Sequence, residues 1–336
     1  MESGSAPRRG RPRALAWWLV AVAALVILMV VVGGITRLTE SGLSITRWAP
    51  VSGAIPPLSA AEWQAEFAAY QATPEYRLLT HGMSLADFQR IFFWEYLHRL
   101  IGRLIGLAFA IPFAVFALKR WIPAGYGWRL AALLALGGLQ GAVGWWMVAS
   151  GLVDRPDVSH VRLAVHLSLA CLILAGLVWT ALDLFALARD PVARPARLTG
   201  VAIAAGIALA IQLVLGAFVA GLDAGRIYGQ WPLMGSGLMP GEIGEDARVF
   251  WQFLHRWWAF AAAGVLVWFG LRADAVAGTG QRFTHHLGGL VTLQIGLGIA
   301  TLVSGVAIGL AALHQAVAAL IVATLTWAAH RAGSAA

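Results

Sequence analysis

The sequence predicts an all-α integral membrane protein with eight transmembrane helices, built as two tandem four-helix bundles related by a pseudo-twofold along the membrane normal. Three observations carry this expectation. The 336-residue chain is 60% hydrophobic and only 12% charged, with a mean hydropathy of +0.75, far from the balance of an aqueous domain. Eight apolar runs reach about 20 residues, the length that crosses a bilayer, at approximately 14–35, 95–118, 129–150, 162–185, 199–222, 249–271, 286–306 and 308–330. The chain also repeats itself, four runs to a copy.

The repeat is legible in three places. Gly33 to Pro57 aligns without a gap to Gly216 to Pro240, setting Glu40 on Asp223, Gly42 on Gly225 and Trp48 on Trp231. WEYLHR (Trp94 to Arg99) matches WQFLHR (Trp251 to Arg256), and LQGAVGWWMVASG (Leu139 to Gly151) matches LQIGLGIATLVSG (Leu293 to Gly305). An even number of spans per copy gives both halves one orientation, which requires an axis along the membrane normal. The organisation expected is a basic start at 1–13, an N-terminal half at 14–185, a linker at 186–198, a C-terminal half at 199–330 and a tail at 331–336. The first half carries the longer outer loop, about 36–94 against 223–248, and its AAEWQAEFAAY segment reads as a short amphipathic helix near the interface.

Orientation follows from the basic residues. Arg8, Arg9, Arg11 and Arg13, then Lys119, Arg120 and Arg129, then Arg189, Arg194 and Arg197, then Arg272 and Arg282, all fall on one side if the first span runs outward. Both termini are then cytoplasmic and the protein sits in the cell inner membrane, with lipid as its main surroundings. The first run also fits a signal peptide in outline. It exceeds the roughly 7–15 residues of a signal core, however, and its end recurs in mid-chain. The net charge of +8 comes from dispersed Arg residues without a continuous basic face, which argues against nucleic acid as a partner. A lone cysteine, Cys171, excludes an intrachain disulfide and any zinc-thiolate site.

Four of the nine histidines occupy equivalent places: His98 and His255 early in spans two and six, His166 and His314 early in spans four and eight. Those spans all enter from the outer face, so each half sets two imidazoles at similar depth. Helices diagonally across a bundle are about 14 Å apart, room for two imidazoles flanking a flat macrocycle. Bis-histidine haem ligation is the natural reading. A single membrane histidine is more often an interhelical hydrogen-bonding residue, but two pairs at matched depth in matched repeats favour ligation. His81, His160, His285, His286 and His330 read as solvated positions at loops or span ends. Arg99, Arg256 and Arg103 lie where the two carboxylates of a haem would need cations, though snorkelling at the interface explains each alone. Small residues such as Gly102, Gly144 and Gly298 allow close approach of a helix or a flat ligand.

One position breaks the symmetry. Glu95 stands three residues before His98, whereas Gln252 holds that place before His255. A carboxylate can move protons or stabilise developing positive charge and an amide cannot, so the halves are expected to do different jobs: the first reactive, the second a permanent electron-transfer haem. An ion pair from Glu95 to Arg99 one turn on is the structural alternative. On residues alone, a haem-modifying oxidoreductase and a two-haem cytochrome b acting only in electron transfer both remain open. A transporter would want midplane polar residues and broken helices, which these spans lack.

GGITRLTESGLSITRW, the following GAIPP, the EW...F..Y...PEY stretch and WEYLHRLIGRLIG together resemble haem A synthase in its alphaproteobacterial and mitochondrial form, over about Gly33 to His314. The resemblance implies an oxidoreductase that converts the C8 methyl of haem O to a formyl group by successive hydroxylations, giving haem A for terminal oxidases. It implies haem B (iron) as cofactor, with His255 and His314 as axial ligands and Arg256 beside them. His98 and His166 would then belong to the haem O site with Arg99 and Arg103, and Glu95 falls on the family's essential acid. The partners implied are haem O, the protohaem farnesyltransferase that makes it (haem O synthase), and an electron acceptor; a homo-oligomer is compatible with all of this. The cysteine pair that some members carry in the first outer loop is missing, which removes any disulfide relay.

Overall fold

The computed structural model describes residues 10–153, 155–278, 280 and 282–335; Arg8 and Arg9 of the basic start lie outside the described residues. Ten α-helices are present among them: α1 (Pro12–Leu38), α2 (Ala60–Gln71), α3 (Pro74–Leu78), α4 (Leu85–Leu118), α5 (Gly127–Ala149), α6 (His160–Arg189), α7 (Gly200–Gly221), α8 (Ala247–Ala277), α9 (Phe283–Val303) and α10 (Ile308–Ala335). All but α2 and α3 are long and apolar enough to cross a membrane, giving the eight spans expected.

The ends differ from the apolar runs. α4 starts ten residues earlier than its run, because Ser84 caps it by accepting a hydrogen bond from the Asp87 N–H at 3.2 Å. The polar positions of LADFQR are good helix formers that hydropathy passes over, so the helix projects beyond its apolar run and shortens the 36–94 loop. Likewise α8 starts at Ala247 with Asp246 accepting from the Arg248 N–H. α10 continues through Ala335; Gly333 leaves room for the backbone of Arg197, whose N–H donates to the Gly333 carbonyl at 3.1 Å.

Helix neighbours follow the repeat in large part. α1 packs on α4 as α7 packs on α8, and α5 on α6 as α9 on α10. Between the halves α1 meets α10 as α7 meets α6, with α6 and α10 also in contact. The aligned turn residues Glu40 and Asp223 share a left-handed backbone, φ 51° and 50°. The exchange is incomplete, because α1 lies along α6 whereas α7 barely reaches α10, and α8 packs on α10 instead. The main apolar core runs through both halves on Leu15, Leu19, Leu174, Leu177, Phe269 and Leu325.

A buried clasp joins the halves at the end of the helices that carries both termini. Asp183 of α6 accepts from Arg129 of α5 at 2.7 Å and from the Ala196 N–H of the linker at 2.9 Å, and lies 2.9 Å from His330 Nε2 of α10. His330 is only 3% exposed, so its expected solvated setting is wrong: an interhelical carboxylate partner makes its burial affordable. His81, His285 and His286 are exposed and His160 half-buried.

The outer loop folds into a lobe of its own. Ser59 and Glu62 form a capping box that starts α2, and Phe67, Tyr70, Phe88 and Phe92 make a small aromatic core between α2, α3 and the projecting part of α4. Glu75 of α3 is buried beside it. Burial pushes its carboxyl up to about 8; the charges of Glu95, Glu40 and Asp157 add to this and a Tyr70 hydrogen bond opposes it. The folded lobe therefore holds a proton that the unfolded chain releases near its ordinary value of 4.5. That contribution to stability is whole below about 4.5 and is lost as pH rises through about 8. Amide-exchange protection of residues 60–84 in the solubilised protein should fall across that window, and Glu75→Gln should flatten the profile; a parent profile already flat would contradict the buried acid.

Candidate functional site

Each of the four paired histidines sits on a neighbouring helix in one manner: its imidazole lies against a glycine. A methyl group on Gly144, Gly216 or Gly298 would stand 3.0 Å from Cε1 of His166, His255 or His314, and on Gly33 it would stand 2.7 Å from Cε1 of His98. The 2.7 Å distance is closer than side chains tolerate and 3.0 Å is tighter than nearly all of them show, so the bare backbone is what admits the ring without a shift. In every case the glycine lies toward the C-terminal end of its helix and the histidine belongs to the next span.

Three of the seats add an amide one turn before the glycine. Gln140 Nε2 lies 3.3 Å from His166 Nε2 and donates to the His166 carbonyl at 3.0 Å. Gln212 does the same at 3.2 Å from His255 Nδ1 and 3.1 Å from the His255 carbonyl. Gln294 Nε2 lies 3.3 Å from His314 Nε2, while His314 Nδ1 faces the Gln294 carbonyl at 3.0 Å. That carbonyl can only accept, which puts the proton on Nδ1 and the lone pair on Nε2, where the Gln294 amide faces it and a metal would take its place. Sequence reading passed over these glutamines, although the repeated QxxxG of LQGAVG, IQLVLG and LQIGLG was there to be found.

The residues before and after His98 and His255 fasten the outer loops. Arg99 donates to the carbonyls of Ile45 and Arg47 at 2.8 and 3.0 Å, and Arg256 to those of Tyr228 and Gln230, the aligned positions. Arg103 binds the Pro50 and Ala49 carbonyls at 2.9 Å each. Much of each guanidinium is thus spent on backbone, but Arg103 Nη1 and Arg256 Nε stay buried without a partner. Glu95 accepts from Ser44 Oγ and the Ile45 N–H at 2.7 Å each, and from Arg99 at 2.6 and 3.1 Å. Both oxygens accept throughout, the pattern of an anion. Gln252 has the opposite polarity at the aligned place, donating to the Tyr228 carbonyl at 3.1 Å.

These donors suit haem. Each half carries two such seats, His98 and His166 in the first and His255 and His314 in the second, while no cluster of three or more His, Cys, Asp or Glu that could hold a metal occurs among the described residues. Two imidazoles per half suit an iron that brings its own equatorial ligands and would leave a bare ion short. The unpartnered Arg103 and Arg256 nitrogens are available to propionates.

The family model for the cytochrome oxidase assembly proteins COX15-CtaA matches residues 16–326. A heme A synthase of Sphingopyxis alaskensis is 56% identical, covering 96% of this chain and 93% of its own length. The chain belongs to the haem A synthase family. Similar relatives of the same description come from Rhizorhabdus wittichii, 54% identical over 95% of this chain and 94% of its own length, and Erythrobacter litoralis, 51% identical over 96% and 98%. All four histidine seats fall inside the matched span, in a family that binds haem.

The glycine seats make a test. Gly216→Ala and Gly298→Ala should each cut haem retention by the purified protein about tenfold or more, read from the Soret absorbance per chain. Gly289→Ala, with open space around its added methyl, should leave it unchanged. Full retention in both seat variants would contradict the glycine requirement.

Proposed function

We propose that the chain oxidises haem O to haem A, converting the C8 methyl group to a formyl group through successive hydroxylations followed by loss of water. The observation that carries the division of labour is the opposed polarity of Glu95 and Gln252 at aligned places. Removing electrons from a methyl carbon leaves positive charge there. A fixed carboxylate stabilises that charge, and an amide that donates to a carbonyl does not.

On this reading His98 and His166 hold the substrate haem in the N-terminal half, with Arg103, and Arg99 through the loop it fastens, at the propionate rim. His255 and His314 would hold haem B in the C-terminal half, with Arg256 beside them. Bound haem B supplies an iron that passes single electrons onward to an acceptor. Glu95 acts next to the substrate and holds residues 44–45 against α4, so charge and loop position are set by one side chain. In the loop that Arg99 fastens, Trp48 packs on Trp145 of α5 at 5.1 Å between ring centres.

The same reading places the protein in the inner membrane with both termini cytoplasmic, its basic helix ends lying on that side. Haem O would arrive from the farnesyltransferase that makes it. Glu95→Gln should lower conversion of haem O about a hundredfold, measured by chromatography of extracted haems, while the bound haem spectrum persists. Unimpaired conversion would contradict the role of the charge. His255→Ala or His314→Ala should lose the low-spin haem B spectrum, and an unaltered spectrum would refute the ligand roles.

A further inference from the structure

His98 is the one paired histidine without an amide. Its seat has the glycine, Gly33, but the position one turn before is Met29, which the repeat aligns with Gln212. His98 Nδ1 is buried without a hydrogen-bond partner, whereas His255 and His314 have each Nδ1 engaged. His166, with its own Nδ1 unpartnered, is still tied by Gln140 through Nε2 and backbone. A thioether has no N–H to give, so the side chain at this position cannot tie the ring.

The neighbourhood is adapted to the change. The Met29 methyl lies 3.3 Å from where a Cβ on Gly102 would stand, one turn below His98 on α4. In the second half the repeat puts Ala259 in the place of Gly102 and Gln212 in the place of Met29. The flexible Met side chain and the missing methyl occur together, and the amide and the methyl occur together. This is a matched substitution on two helices rather than a stray difference on one.

We infer that Met29 sets the lability of the first site: by withholding the amide that its counterpart Gln212 sets against His255 Nδ1, it makes His98 the weak ligand through which a haem enters and leaves. The inference rests on the first half being the substrate site. A permanent haem gains from ligands held rigidly by hydrogen-bonded neighbours, whose loss costs 10–100-fold in metal affinity. A haem that must depart after oxidation gains from one ligand that is not so held. Met29 is in this sense a positioning residue, acting through His98.

The test uses the full chain co-expressed with a haem O farnesyltransferase, purified, and mixed with excess apomyoglobin. Haem transfer is followed by absorbance, and extraction separates farnesylated haem from haem B. Met29→Gln should slow release of the farnesylated haem by about 10–100-fold and leave haem B release unchanged, while Met29→Leu should keep the parent rate. Gln212→Met should hasten haem B release by a similar factor, and it tests the same amide in the other half should Met29→Gln fail to fold. Parent-like release from Met29→Gln, equal slowing by Met29→Leu, or unchanged haem B release from Gln212→Met would each overturn the inference. A parent protein that released both haems at one rate would instead contradict the assignment of the halves.

Discussion

Everything at the outer end of this molecule depends on an imidazole being able to lie against a bare backbone. Four times a glycine on one span faces a histidine on the next, at distances where even a methyl group would force a shift. The contact fixes how closely two helices approach, and it fixes the depth and direction of the ring between them. Because the histidines come in pairs within a half, these seats set the spacing into which a macrocycle must fit. A ligand site in a membrane built from single side chains on rigid helices tolerates little error, and the glycine contact removes the error at its source.

The polar groups around the seats are used in two tiers. Glutamine amides hold three of the rings. Arg99 and Arg256 reach past their histidines to the carbonyls of the loops that follow α1 and α7, so that the loop in each half is tied to the helix that carries a ligand. Glu95 joins that tie in the first half through Ser44 and Ile45. Its carboxylate is therefore a structural group as well as a charged one, tying residues 44 and 45 to α4. The second half makes the corresponding tie with neutral Gln252, consistent with a haem that only exchanges electrons.

Much of this was legible in the amino-acid order. Span count, the repeat, the four histidines and the Glu95/Gln252 difference all come from hydropathy and self-alignment, because those signals are long or are doubled by the repeat. What escaped was of another kind. The start of α4 lies in polar residues beyond the apolar run, and only the Ser84 cap marks it. His330 looked like a surface residue because its partner, Asp183, is 147 positions away. The QxxxG seats were hidden by reading each glycine as a generic small residue; the motif acquires meaning only when the histidine it faces is known. Arg99 and Arg103 were expected at a propionate rim, and the structure shows how much of each is committed to carbonyls that no sequence pattern announces.

The central claim is that one half holds a haem permanently and the other exchanges a farnesylated one. The direct measurement is the haem content per chain of protein purified with and without a co-expressed haem O farnesyltransferase, by extraction and chromatography. Without the farnesyltransferase one equivalent of haem B should be retained; with it, haem B should stay at one equivalent while farnesylated haem appears in addition, below one equivalent. Two equivalents of haem B under both conditions, with no farnesylated haem, would contradict the claim and point to a protein that moves electrons only.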